Sequence, residues 1–78
     1  MPEIFRLLGL RFFYYSNDHE PIHVHVENAD GEAKFNIDHR NIVLVFSQGM
    51  KNKDLKLAES IIYENGNLII NPWIKFFG

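Results

Sequence analysis

The chain has 78 residues, 46% of them hydrophobic, 14% aromatic and 23% charged, with a formal net charge of −2. That size holds one small domain, and the mild acidity gives no global basic footprint for nucleic acid. There is no cysteine, so a disulfide scaffold, thiolate metal ligation and thiol catalysis are excluded. The apolar runs are too short to span a membrane. Glu3 and Arg6 interrupt the first of them, which does not fit a secretory leader. A soluble, cytoplasmic protein is expected.

The first predicted strand covers about 9–16. Its centre, Leu10-Arg11-Phe12-Phe13-Tyr14-Tyr15, is short and aromatic. Alternation puts Phe12 and Tyr14 on one face and Arg11, Phe13 and Tyr15 on the other. Ser16-Asn17-Asp18 with Pro21 reads as a turn. His23-Val24-His25-Val26-Glu27 alternates polar with apolar, so a half-buried strand over 22–28 is predicted, with its histidines on the wet face. Asn28-Ala29-Asp30-Gly31 is a hairpin turn of the Asp-Gly kind. In the strand over 32–38, Ala33, Phe35 and Ile37 alternate with Lys34, Asn36 and Asp38. Arg40-Asn41 turns the chain again. Ile42-Val43-Leu44-Val45-Phe46, uninterrupted and β-branched, predicts a strand over 41–47 covered on both faces.

The pattern then becomes helical. Leu55, Ala58 and Ile62 recur at helical spacing over 53–64, with Asn52 as the expected N-cap and Asn65-Gly66 as the stop. Lys51, Lys53 and Lys56 form a basic run there, ordinarily a solvated face. A second helix over 67–76 carries Leu68, Ile69 and Trp73. Pro72 either kinks it or begins it; a helix of about ten residues with an irregular first turn is the expectation. The fold class is therefore α+β: a four-stranded antiparallel meander followed by two C-terminal helices packed on one face, a two-layer sandwich within a single domain at 1–78. Ala33, Phe35, Ile37, Leu44 and Phe46 are expected to meet Leu55, Ala58, Ile62 and Trp73 in the core.

One constellation has chemical potential. His19, His23 and His25 fall within seven residues, beside Asp18, while His39 lies in a separate turn. Residues i and i+2 of a strand face the same way, so His23 and His25 present their imidazoles side by side. Such a pair can chelate a divalent transition metal such as zinc, with His19 or Asp18 folding back as a further ligand. The same pair, as catalytic candidates, can divide acid and base work near neutral pH. A phosphodiester substrate suits that chemistry, with Arg11 or Lys34 holding its charge and Tyr15 stacking on a base. Solvent-facing histidines with no role, beside an Asn17–Asp18 turn cap, account for the same residues. The spacing does not choose. No Gly-rich phosphate loop, nucleophile elbow or zincin helix is present.

These residues also resemble a known family. Asn17-Asp18-His19-Glu20-Pro21-Ile22-His23-Val24-His25-Val26, the following Ala33-Lys34-Phe35-Asn36-Ile37 and the late Trp73 are similar to a domain-of-unknown-function family of small bacterial proteins, DUF4160. The resemblance implies no activity. It implies a short, stand-alone protein encoded beside another small domain, in an arrangement like a toxin–antitoxin pair, with a small protein as partner. It points to Asn17, Asp18, His19, Pro21, His23 and His25 as the candidate site. Asn71-Pro72-Trp73 departs from the expected uninterrupted last helix. The leading expectation is a regulatory or partner-binding module, and the rival is a histidine-centred metal-dependent hydrolase or small nuclease. Nucleic acid is a less favoured partner.

Overall fold

The computed structural model describes residues 3–15, 21–38 and 41–77. It shows five strands and two helices in the order β1 (Glu3–Leu7), β2 (Leu10–Phe13), β3 (His23–Glu27), β4 (Glu32–Asp38), β5 (Asn41–Gln48), α1 (Asn52–Glu64) and α2 (Gly66–Phe77). The fold is α+β, and neighbouring strands pair antiparallel in the spatial order β1-β2-β3-β4-β5. The sheet has one strand more than the four expected. β1 escapes a period-two reading because its register with β2 shifts between Glu3 and Phe5, which breaks the alternation that marks a strand. A tight turn at Leu8–Gly9, with both φ angles positive (52° and 82°), joins β1 to β2 as hairpin twist requires. The ladder of β2 ends at Phe13, before the expected residue 16.

Alternation sorts the strand residues between two faces. Leu10, Phe12, Tyr14, Val24, Val26, Ala33, Phe35 and Ile37 join Ala58, Ile61, Ile62, Ile69 and Trp73 in one buried cluster. Leu55 packs against it from the edge. Leu44 and Phe46 do not belong to this core. They are 41% and 47% exposed, as are their neighbours Val43 and Val45 at 51% and 47%. β5 is the outer strand of the sheet, and Phe46 pairs with Lys34 on the face away from the core. The expectation that β5 is covered on both faces is therefore wrong. An apolar run reports affinity for apolar surface, not which surface covers it.

A single asparagine joins the sheet to α1. The Asn28 carbonyl oxygen Oδ1 accepts the N–H groups of Asp30 and Gly31 at 2.9 and 3.0 Å, closing the β3–β4 turn. Its Nδ2 donates to Asp54 Oδ2 at 3.3 Å in the first turn of α1. The N-cap is Lys51, not Asn52, and no side chain caps the helix. Its carbonyl accepts the N–H groups of Asp54 and Leu55, each at 3.0 Å. At the far end Asn65 is the C-cap, with Nδ2 donating to the Ile61 carbonyl at 2.8 Å.

α2 begins at once and runs through Pro72 without ending. Proline lacks the N–H that the Leu68 carbonyl would receive. One residue along, the helix also meets a side chain. The Tyr14 hydroxyl donates to the Ile69 carbonyl and accepts the Trp73 backbone N–H. It thus bonds to both backbone groups of one helical step, the Ile69 carbonyl and the Trp73 N–H. The Tyr14 and Trp73 rings meet edge to face, with centroids 5.4 Å apart.

Two expectations follow. Phe35→Ala, in the core, is expected to cost about 3–5 kcal/mol, whereas Phe46→Ala on the outer strand costs the isolated chain less than about 1 kcal/mol; chemical denaturation of both variants measures the contrast. Burial pushes the Tyr14 phenol up to about 12, against the opposing Trp73 N–H. Its neutral form is thus favoured by folding. That stability is complete below the ordinary phenol value of about 10 and is lost as pH rises through about 12. A tyrosinate absorbance titration should show one late-ionising phenol, coincident with alkaline unfolding and missing from Tyr14→Phe.

Candidate functional site

β2, β3 and β4 bring the predicted site residues onto the face opposite the core. Arg11 pairs with Glu27 and Phe13 with His25 across β2 and β3. His25 pairs with Lys34, and His23 with Asn36, across β3 and β4. Directly opposed residues share a face, so Arg11, Phe13, His23, His25, Lys34 and Asn36 form one patch. Tyr15, just beyond β2, completes it through ring contacts. Its ring lies 4.5 Å from His25 and 5.4 Å from Phe13.

The two imidazoles are neighbours, with centroids 5.1 Å apart and planes at 83°. His25 stacks on Phe13 at 5.4 Å. His23 meets Trp73 of α2 at 5.0 Å, and its Nδ1 lies 2.7 Å from the Pro21 carbonyl. A carbonyl only accepts, so Nδ1 carries the proton, and in the neutral ring the lone pair sits on Nε2. This contradicts the expectation of histidines on a wet face. His23 is 4% exposed and His25 half-buried. Local alternation put both on the face away from the core correctly. Trp73, fifty residues further along the chain, packs on the His23 ring, a contact no local pattern reveals.

The cation at the edge of the patch is already engaged. Arg11 lies over the Phe13 ring, 4.3 Å from its centroid. Its Nε donates to Glu3 at 2.7 Å and its Nη1 to Glu27 at 2.9 Å. Arg6 also reaches Glu3, at 3.0 Å. The Arg11 bond, then that of Arg6, holds the Glu3 carboxyl below its ordinary range. Glu3 and then Glu27 raise the Arg11 guanidinium further. Arg11 is therefore not a free phosphate anchor: two carboxylates balance its charge and engage its Nε and Nη1.

Asn17, Asp18 and His19, with His39, lie outside the described residues. His23, His25, Arg11, Tyr15 and Lys34 are brought together. Among the described residues no three His, Asp or Glu side chains stand close enough to hold a metal ion. Two members of the patch were not singled out as site residues, Phe13 and Asn36. Asn36 Oδ1 is buried without a hydrogen bond, directly across from His23. The alternation of β4 with an antiparallel register to β3 is the signal that would have placed it there.

The family model described as "Domain of unknown function (DUF4160)" matches residues 9–74, from the β1–β2 turn into α2. No curated protein and no solved structure matches the chain. Within the patch, His23→Ala opens a buried site against Trp73 and is expected to lower stability by about 1–3 kcal/mol. His25→Ala, at a half-buried position, should cost less. Thermal melts of the two variants check the order; equal melts would place both rings outside the packed structure.

Proposed function

The chain belongs to the DUF4160 family, whose description names no activity, and from the surface of the molecule we propose that it is a protein-binding module with a regulatory role. Its partner docks by adding a strand to β5. The observation that carries this is the outer strand itself: Val43, Leu44, Val45 and Phe46 stand 41–51% exposed in one run on a sheet edge. A sheet edge presents unpaired backbone donors and acceptors, and natural proteins protect it with charge, proline or a covering element. β5 has neither charge nor proline. Strand addition satisfies the backbone and buries the side chains in one step. Either a small protein encoded nearby, in a toxin–antitoxin-like pair, or a second copy of this chain can supply such a strand. No described helix is long and apolar enough to cross a membrane.

A second reading rests on the imidazole pair. The Pro21 carbonyl at Nδ1 of His23 is the kind of outer contact that orients a metal-ligating ring. His23 and His25, with His19 and Asp18, would then hold a divalent ion such as zinc for hydrolysis, in the manner of a small nuclease. Elemental analysis of untagged protein decides for or against this: stoichiometric metal that His25→Ala removes supports it.

The docking reading is tested by isolating complexes of the untagged chain by light scattering and cross-linking. A complex lost on Val43→Lys is the expected result. A chain that stays monomeric at high concentration and binds no protein overturns the reading.

A further inference from the structure

The two edges of the sheet are built differently. β1 is five residues long, carries Glu3 and Arg6, and has a register shift; these are the features that discourage edge pairing. β5 is eight residues long and uncharged. It contains one irregularity, where Phe46 pairs with Lys34 and Leu44 with Phe35, so that Val45 is the extra residue. Cross-strand partners share a face. Phe46 and Val43, opposite Lys34 and Asn36, therefore share the face away from the core, with Asn41 and Gln48 opposite Asp38 and Glu32. Ser47 and Ile42, opposite Ala33 and Ile37, share the core face. The extra residue makes this pattern symmetric about Leu44–Val45. An antiparallel copy centred there sets Val43 against Phe46, Ile42 against Ser47 and Asn41 against Gln48, each pair on matching faces.

The charges beside this edge are arranged in the same sense. α1 runs back along β5, and a groove of about 530 Å³ between them is lined by Asp38, Asn41 and Val43 on one side and Glu59, Tyr63 and Glu64 on the other. The exposed Lys53 and Lys56 lie in the first half of the helix, toward the Gln48 end of β5. The exposed charges of α1 thus run from lysine at one end to glutamate at the other, while Glu32 of β4 stands at the lysine end, opposite Gln48. A two-fold axis perpendicular to the sheet reverses one copy against the other. It places the lysines of one α1 beside the glutamates of the second, on the same side of a continuous ten-strand sheet.

We infer that the occupant of β5 is the β5 of a second copy of this chain, and that the working unit is a two-fold dimer. This rests on β5 being the docking edge proposed above. The self-complementary face pattern, the missing edge charges and the reversed charge gradient all meet in that one pairing.

Sedimentation of the 78-residue chain over a concentration series tests it. The expected result is a dimer that Val43→Lys with Phe46→Lys converts to a monomer of unchanged circular dichroism. Reversing the helix charges gives a sharper test. Lys53→Glu with Lys56→Glu, and separately Glu59→Lys with Glu64→Lys, should each lose the dimer at low salt. An equimolar mixture of the two should regain it, because opposite charges again face each other. A dimer indifferent to the β5 lysines overturns the inference. So does a monomeric wild type: if that monomer binds a different small protein and loses it on Val43→Lys, the docking edge survives and the dimer does not. If it binds nothing, both fall.

Discussion

The Tyr14 hydroxyl is the contact on which the arrangement of this molecule turns. It leaves the end of β2, crosses the core and enters the backbone of α2 between the Ile69 carbonyl and the Trp73 N–H. A helix with proline at 72 has already lost one bond there. A buried hydroxyl without a partner costs about 1–3 kcal/mol, and these two backbone groups satisfy the phenol inside the core. The position of α2 on the sheet is therefore set by a polar contact as well as by apolar burial. Trp73 carries that constraint outward. Its indole touches Tyr14 and His23, so the first imidazole of the patch is positioned by the same turn of helix that the tyrosine bonds.

This coupling explains which parts of the fold could be read from the sequence. Alternation along Leu10–Tyr15 separates Phe12 and Tyr14 from Arg11 and Phe13, and the structure keeps that division. The strand Glu32–Asp38 and the turn at Asn28 are equally local, since their contacts lie within a few residues. β1 was missed because its shifted register destroys the period on which strand recognition depends. The burial of β5 departs from expectation for another reason. Ile42–Phe46 has the composition of a central strand, and composition cannot tell a core from an interface.

The candidate site divides along the same line. That His23 and His25 stand side by side follows from the two-residue period of a strand. That one packs against Trp73 follows from the placing of α2, and that Arg11 is occupied follows from Glu3 and Glu27 on two different strands. None of these partners is near in sequence, so local pattern reveals that the two imidazoles share a face and not what surrounds them. Asn36 sharpens the point. Its unpaired Oδ1 beside His23 depends on the pairing of β3 with β4, which a single strand does not encode.

Size connects these observations. A domain of 78 residues buries a smaller share of its surface than a larger one and has a narrow margin of stability. Such a chain has little reason to leave four adjacent apolar residues on an open edge. At about 25 cal/mol per Å² of apolar area removed from water, covering that edge adds to the same term that holds the core together. The rings around His25 are already packed against one another, and the guanidinium beside them is neutralised. Among the described residues, the edge of β5 holds the longest run of exposed apolar side chains. Covering it would link folding and association in one hydrophobic surface. Backbone pairing would set the register, and the opposed charges of α1 would set the direction.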